Sequence, residues 1–552
     1  IVPKSSYKIQ LAHPLLGRTC SDSFMSKLIK STAIVSFFTM LSRILGMIRD
    51  MVLMSVFGTG GMMDAFLVAF KLPNFLRRLF AEGAFAQAFV PVLSDYQHQA
   101  QNNDMTDSKK ALLGIQILIS RVAGTLLLIL SGLTAVIVIF APAVIAVFAV
   151  GYLHEPSKFA TAVELLRITF PYLLFIAMTA FACSILQSVG RFALPAFAPV
   201  ILNVCMIVGA IWVAPLLAKP ILAVGYAVAV AGLLQLLIQL PQLHSHQLLV
   251  MPKVSFRHPG VRRILKLMLP ALFGVSVTQI NMLVNTVLAS TMVDGSVSWL
   301  YTAERMSELP LGLIGVAIGT VILPSLSKSI ASDDHQQFGH TLDWATRLTV
   351  LVGVPASIAL GMISNVLMIS LFEHGEFVRQ DAMMSGLALQ CLSGGILAFM
   401  LIKIFAPAFF ARHDSRTPVK VGVISVIANV VLSLILAELF KKWQIAPHAG
   451  LGLANTLASF INAALLYFYL HTQGIYRFGA AWRRLAVIFA IANGAMGLAL
   501  AAGIHFFPVT AHQGVRIVAL LALCVAGAVV YGAALLIAGF KLSELKPHHS
   551  VQ

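Results

Sequence analysis

Three stretches of this chain put arginines and carboxylates where charge is costly. RILGMIRD holds Arg43, Arg49 and Asp50, and DAFLVAFKLPNFLRRLFAEGAFAQAFVP holds Asp64, Lys71, Asn74, Arg77, Arg78 and Glu82. TAERMSELP adds Glu304, Arg305 and Glu308, and Lys403 stands alone in FMLIKIFAPAFF. All lie in apolar surroundings, and a charge at the centre of a bilayer costs about 2.5–3.5 kcal/mol even on the most lenient scale. Such side chains face a water-filled cavity or pair inside a bundle. At 100° per residue, Asp64, Lys71, Arg78 and Glu82 fall within about 40° of one another, so one helix face is polar. Arg43 and Asp50 share a face one heptad apart, and Pro73 introduces a kink. A purely structural reading pairs Asp64 with Lys71 and Arg78 with Glu82 and assigns them only helix locking. The arginines Arg43, Arg49, Arg77 and Arg305 outnumber the nearby acids, however. A surplus of positive charge in a low-dielectric cavity calls for an anionic ligand. Arginine suits phosphate, because its fork of donors binds oxygen pairs and it never deprotonates. Lys403 adds a point charge, and the expected ligand is an anion such as a phosphate or diphosphate.

The elements that carry these residues follow from composition. Of 552 residues, 59% are hydrophobic and 11% charged, against about 25% charged in an ordinary soluble domain. That balance excludes a water-soluble enzyme and a disordered chain alike. A membrane-spanning helix takes about 20 apolar residues, and about fourteen apolar segments with short loops run from about residue 30 to residue 540. The runs are long and continuous rather than alternating, so they are helices and not barrel strands. The expected fold is therefore an all-α polytopic membrane protein with about fourteen transmembrane helices.

The chain also repeats itself. FVPVLSDY around Pro91 resembles VILPSLSK around Pro324, GRFALPAFAPVILNV from Gly190 echoes ARHDSRTPVKVGVISVIANV from Ala411, and GYAVAVAGLLQLLIQL from Gly225 echoes GLGLANTLASFINAALLYF from Gly450. The offsets are all about 220–235 residues. Two pseudo-symmetric six-helix lobes are expected, at 25–247 and 248–473, followed by two C-terminal helices and a tail at 474–552. Parallel halves of this kind are a transporter architecture with the substrate between them.

The net charge of +17 reads first as topology. Basic residues such as Lys253, Arg257, Arg262, Arg412, Arg416 and Arg483 gather in alternate loops, which places those loops and both termini in the cytoplasm. Lys441 and Lys442 run against this locally. Residues 1–24 are polar and read as an extension upstream of Met25, with no cleavable signal peptide. Gly312, Gly315 and Gly319, bracketed by Pro310 and Pro324, form a small-residue face suited to close helix approach. Cys183, Cys205, Cys391 and Cys524 read as small apolar residues. No P-loop, HExxH, zinc-like spacing or GxSxG motif is found. Catalysis and cofactors are thus not expected, nor is nucleic acid as a partner. Ion gradients, the membrane potential and the substrate gradient itself are left as energy sources.

The ordered motifs RILGMIRD, DAFLVAFKLPNFLRRLFAEGAFAQAFVP and GSVSWLYTAERMSELPLGLIGVAIGTVILPSLS closely resemble the MurJ (MviN) family, lipid II flippases of the multidrug/oligosaccharidyl-lipid/polysaccharide exporter superfamily. The resemblance runs from about Met25 to GFKLSEL. It implies a bacterial inner-membrane protein that moves lipid II, a disaccharide-pentapeptide on undecaprenyl diphosphate, from the cytoplasmic to the periplasmic leaflet. It also implies a groove for the undecaprenyl tail on the last two helices, with membrane lipids and cell-wall synthesis machinery as partners. The family's functional positions fall here on Arg43, Arg49, Asp64, Asn74, Arg77, Glu82, Ser298, Glu304, Arg305, Glu308 and Lys403. Glu304 stands where the family often has Asp, which keeps the charge but lengthens its reach. The expected cycle binds the diphosphate on Arg43, Arg49, Arg77 and Arg305 in an inward-open state, while Glu82, Glu304 and Glu308 hold and exchange those arginines. Neutralising any one of the four is expected to abolish function at near-normal protein levels. The alternatives are a drug or polysaccharide-lipid exporter, a membrane glycosyltransferase on the same lipid, and a scaffold. The arginine surplus, the short loops and the charged cavity respectively argue against them.

Overall fold

A computed structural model describes residues 20–78, 85–102, 108–311, 322, 325–330, 332 and 334–541. Glu82, the glycine face 312–319 and Pro324 lie outside these residues. The described chain is helical. In order come α1 (Cys20–Phe57), α2 (Gly61–Arg77), α3 (Phe85–Asn102), α4 (Ser108–Ile139), α5 (Ala141–Phe148), α6 (Pro156–Thr169), α7 (Tyr172–Ser188), α8 (Ala193–Val208), α9 (Leu222–Leu237), α10 (Leu240–Ser245), α11 (Pro259–Ser290) and α12 (Ser296–Pro310). Helices His335–Phe372, Arg379–Ser393, Gly395–Ala411, Arg416–Lys442, Pro447–Thr472, Ala481–His505 and Gln513–Ile537 complete the chain.

Among the described residues, nine helices are long and apolar enough to cross a membrane, or ten if the pair 379–393 and 395–411, bent by 41°, is one span. The remaining stretches expected to span hold α1, α2 with α3, α11 and α12. Within the described residues α2 has 17 residues and α12 has 15, short of the about 20 that a span takes. Pro73 is accommodated within α2, which runs on to Arg77. Residues 141–154 read as loop in the sequence. They form α5, opened by Pro142, and a 3-10 turn at Val150–His154. Ile145, Ala149 and Tyr152 are buried there, so apolar burial orders what spacing alone left as a connection.

Packing in the first part of the chain recurs in the second. Helix α1 packs on α8, and α11 on 416–442; α2 packs on α6, and α12 on 379–393; α4 packs on α7, and 335–372 on 395–411. Both α7 and α8 lie on α9, as 395–411 and 416–442 lie on 447–472. The two VI-x-N-V echoes in the sequence carry Asn203 and Asn429 as their fourth residue, and both asparagines are buried. Each meets the first helix of its own half: Asn203 accepts from Arg49 (3.0 Å), and Asn429 donates to Asn285 (2.9 Å). The last two helices pair with each other and lean on 335–372.

Helices α10 and α11 are joined by a non-helical segment, 248–258, that is strapped along α4. The Lys253 N–H donates to the Ser120 carbonyl (3.0 Å), the Ser120 hydroxyl to the Met251 carbonyl (2.6 Å), and the Ser255 N–H to the Thr125 hydroxyl (3.2 Å). Gly124 permits this approach, because a Cβ there would lie 2.4 Å from the Lys253 backbone.

Asp414 opens helix 416–442 by accepting from the Thr417 hydroxyl (2.6 Å) and from the N–H groups of Arg416 and Thr417 (3.1 Å each). Those bonds, the Thr417 hydroxyl first, hold its carboxyl below the usual carboxylate range. The cap is therefore fully present above the ordinary carboxylate pKa and fails only as pH falls through the lowered value. Asp414→Ala is expected to cost about 1 kcal/mol of stability, read as a lower unfolding temperature in detergent, with Asp414→Asn losing less.

Candidate functional site

Helices α1, α2, α7, α8, α9, α11 and α12 line a cavity of about 560 Å³. Helical spacing explains which residues reach it. Arg43, Gly46 and Arg49 lie along one face of α1. Lys71, Asn74 and Arg78 lie along one face of α2, with Arg77 beside them. Tyr301, Glu304, Arg305 and Glu308 descend α12 at intervals of three and four. Among the described residues, six cationic side chains line the cavity (Arg43, Arg49, Lys71, Arg77, Arg78 and Arg305) against two carboxylates, Glu304 and Glu308.

One acid behind the wall organises the arginines. Asp50 is buried and takes Arg49 Nε (3.0 Å) and Nη2 (2.6 Å) on Oδ1, together with the Tyr301 hydroxyl (3.0 Å). Its Oδ2 accepts from Arg305 Nε (2.9 Å), so one carboxylate joins α1 to α12 across the two halves. Arg49 Nη1 also donates to Asn203 Oδ1, and Arg305 Nη1 to Glu308 Oε2 (3.1 Å). Gly46 lies against this network, with its Cβ position at van der Waals distance from Arg305 Nη2 (3.5 Å). Lys71 meets Glu304 at 3.5 Å, Arg78 meets Glu308 at 3.9 Å, and Arg77 Nε donates to Asn74 Oδ1 at 2.9 Å. Glu308 is 40% exposed and Arg305 32%, so these pairs stand open to the cavity and can be exchanged. Arg43 is exposed, and Lys403, also exposed, lies within electrostatic range of Glu308 and Arg43.

The polar stripe expected along α2 is corrected at its first residue. Asp64 shares the helix face of Lys71 and Arg78 but lies beyond the end of the cavity, fully buried. It pairs with neither Lys71 nor solvent. Its Oδ2 accepts from the Gly295 N–H (2.8 Å), and its Oδ1 from the Ser298 N–H (2.9 Å) and hydroxyl (2.5 Å). A carboxylate of the first half thus caps the N-terminus of a helix of the second, where the unpaired N–H groups and the helix dipole favour negative charge. Gly295 turns the chain at φ +93°, and a Cβ there would meet Trp299 at 2.7 Å. Ser298 is accordingly a partner of Asp64 rather than a cavity residue.

The same end is shut by further contacts. Thr59 and the Trp299 indole both donate to Asp381 Oδ1 (2.5 and 2.9 Å), and the Glu376 N–H donates to the Ser55 carbonyl (2.8 Å). Gly151 abuts the Ser290 carbonyl so closely that a Cβ would lie 1.9 Å from its oxygen. The sequence reading left Asp50 without a partner and missed Tyr301 and Asn203. Tyr301 stands one helical turn before Arg305, and Asn203 closes a repeated motif, so both carried a signal. No group of three or more His, Cys, Asp or Glu is placed to hold a metal among the described residues.

A helical membrane bundle in two similarly packed halves, closed at one end over a cationic cavity, has the build of an alternating-access transporter. Its fold is similar to that of a solved inward-facing multidrug resistance MATE family transporter of the MOP superfamily (TM-score 0.60, 14% identity, covering 80% of this chain and 97% of that one). It is also similar to a solved lipid II flippase MurJ in an inward closed conformation (TM-score 0.74, 25% identity, covering 92% and 98%). The family model described as lipid II flippase MurJ matches residues 53–523. A lipid II flippase MurJ of Burkholderia cenocepacia is 38% identical over 530 residues, covering 94% of this chain and 99% of the relative. A Vibrio cholerae protein described as a probable lipid II flippase MurJ is 40% identical over 531 residues, covering 94% and 98%. The chain belongs to the MurJ family.

Proposed function

We propose that this chain is a lipid II flippase of the bacterial inner membrane. It moves the undecaprenyl-diphosphate-linked disaccharide-pentapeptide from the cytoplasmic to the periplasmic leaflet by alternating access. The observation that carries this reading is the cavity between the halves, lined by six cations and two exchangeable carboxylates and shut at one end by bonds between the halves. A diphosphate entering it competes with Glu308 for Arg305 and Arg78, and with Glu304 for Lys71. Arg43 and Lys403 supply further charge at the mouth. Released carboxylates find other cations as the halves rock, so no charge is left unpaired in a low-dielectric space. Coupling to the membrane potential or an ion gradient supplies the direction.

The recurring helix contacts and the Asn203/Asn429 correspondence support two six-helix lobes, 25–247 and 248–473, followed by two helices in 474–552. With the charged stretches counted as spans the total is fourteen, and both termini lie in the cytoplasm, as the loop charges favour. The shut end, where α1 ends and α2 begins, is then periplasmic.

The test is lipid II exposure in spheroplasts that depend on this chain as their only flippase. A membrane-impermeant enzyme that cleaves lipid II reports the outer pool. The pool is expected to fall on depletion. A pool that persists while peptidoglycan synthesis stops places the protein after the flip and sinks the proposal.

A further inference from the structure

Lys158 has no role in the cavity, yet it is one of the most deeply buried charges in the molecule, only 4% exposed. It stands in the first turn of α6, after Pro156 and Ser157. A cation there opposes the helix dipole, so α6 itself gains nothing from it. Its surroundings lie at the seam between the halves. Nζ pairs with Asp294 Oδ1 of the second half, lies 4.0 Å from Asp64 Oδ2 of the first, and sits 4.2 Å over the ring of the fully buried Tyr152. Asp64 is the carboxylate that caps α12, and Asp294 immediately precedes the capped Gly295. Both acids converge on one ammonium.

We propose that Lys158 is the positioning residue that makes closure of this end electrostatically possible: its ammonium bridges a carboxylate of each half, Asp64 and Asp294, which without it would face each other as like charges across the seam. Asp64 is held by α2, which packs on α6, so Asp64 and Lys158 move as one body. Asp294 travels with α12. Closure brings the second carboxylate to the shared ammonium, and opening removes it, leaving Asp64 with its counter-charge. The Tyr152 ring supports the ammonium from below. This inference rests on the alternating-access reading but not on the identity of the cargo.

The test reads the seam directly. Ser296 is buried there (1% exposed), and its hydroxyl has no hydrogen-bond partner among the described residues, so Ser296→Cys forfeits no bond. In the full-length chain with its native cysteines replaced, a membrane-impermeant maleimide is applied to each face of membrane vesicles in turn. Lys158→Met is expected to raise the labelling rate about tenfold or more, because breaking a buried pair leaves the remaining charges uncompensated. Lys158→Arg keeps the rate within a few-fold of the parent. The diagnostic outcome is a reversal of sign. Asp294→Asn raises labelling when Lys158 is present, since an attraction is lost. It lowers labelling in the Lys158→Met background, since a repulsion is lost. A merely structural role for Lys158 gives Asp294→Asn the same effect in both backgrounds, and that result overturns the proposal. Asp294→Lys, at a position whose side chain is 52% exposed and so safe for folding, must also raise labelling; unchanged labelling there overturns it as well. The readout needs no lipid II, so a failed exposure assay alongside this pattern would remove the cargo and leave the clasp.

Discussion

Arg305→Ala is expected to leave the protein folded and in the membrane while lowering outer-leaflet lipid II more than about thirtyfold. Two magnitudes separate the effects. On the structural side, Arg305 gives up one bond to Asp50 and one to Glu308. Asp50 keeps three donors on its other oxygen, from Arg49 and Tyr301, and Glu308 is 40% exposed and readily hydrated. The stability loss is about 1–3 kcal/mol, mostly from the Asp50 oxygen that loses its donor. On the functional side, a charged fork facing an anionic group in a confined cavity contributes about 2–5 kcal/mol, and 2 kcal/mol is already about thirtyfold. Arg305→Lys restores the charge but not the paired donors, so it should recover only part of the activity. Immunoblots of membranes beside the exposure assay decide the matter; wild-type exposure in Arg305→Ala would remove the arginine from the mechanism.

Arg49 is a different case, and its burial argues against the expectation that all four arginines behave alike. It is 6% exposed and donates to Asp50, Asn203 and Tyr301. Removing it takes two charge-assisted bonds from the buried Asp50, which keeps only Arg305 and the Tyr301 hydroxyl, and leaves Asn203 Oδ1 without its donor, so Arg49→Ala should lower protein levels as well as function.

Gly151→Val should be the most damaging change outside the cavity. Any Cβ there falls 1.9 Å from the Ser290 carbonyl oxygen and 2.7 Å from Thr291 Cα, and backbone cannot give way as a side-chain tip can. The collision lies between the halves, so each half folds and only their approach is blocked. The variant should accumulate normally, remain open at this end to an impermeant maleimide on Ser296→Cys, and lose flipping by at least about tenfold. Gly151→Ala should show the same direction with less severity. A closed, active Gly151→Val protein would mean that this end does not shut in the working cycle.

How much of this was legible beforehand depends on what each residue does. Helices, the apolar spans and the charged faces of α1, α2 and α12 follow from periodicity and the cost of intramembrane charge, both local properties. Lys71, Arg78, Glu304 and Glu308 were recognisable as cavity residues for that reason. Their partners were not. Spacing suggested Asp64 with Lys71, but depth along the helix decides contact as much as angle does, and Asp64 is taken by an N-terminus 231 residues away. Lys158 carries no sequence signal of its role, because nothing local shows that Tyr152, Asp64 and Asp294 close around it. The segment 141–154 hid its helix because a run of small apolar residues between two spans gives no periodic signal.

The strap along α4 has a mechanical consequence. The connector between the halves is nominally eleven residues, 248–258, but its hydrogen bonds pin it to the first half as far as Ser255. Only residues 256–258 remain before α11 begins at Pro259, about 10 Å even at full extension, and the His258 ring lies against Tyr96 of α3. A leash that short acts as a pivot pin. In the proposed cycle it keeps the two halves from sliding apart and turns their relative motion into a swing whose arc grows with distance from the pin. Severing the grip of Ser120 and Thr125 would lengthen the leash and turn the swing into wander.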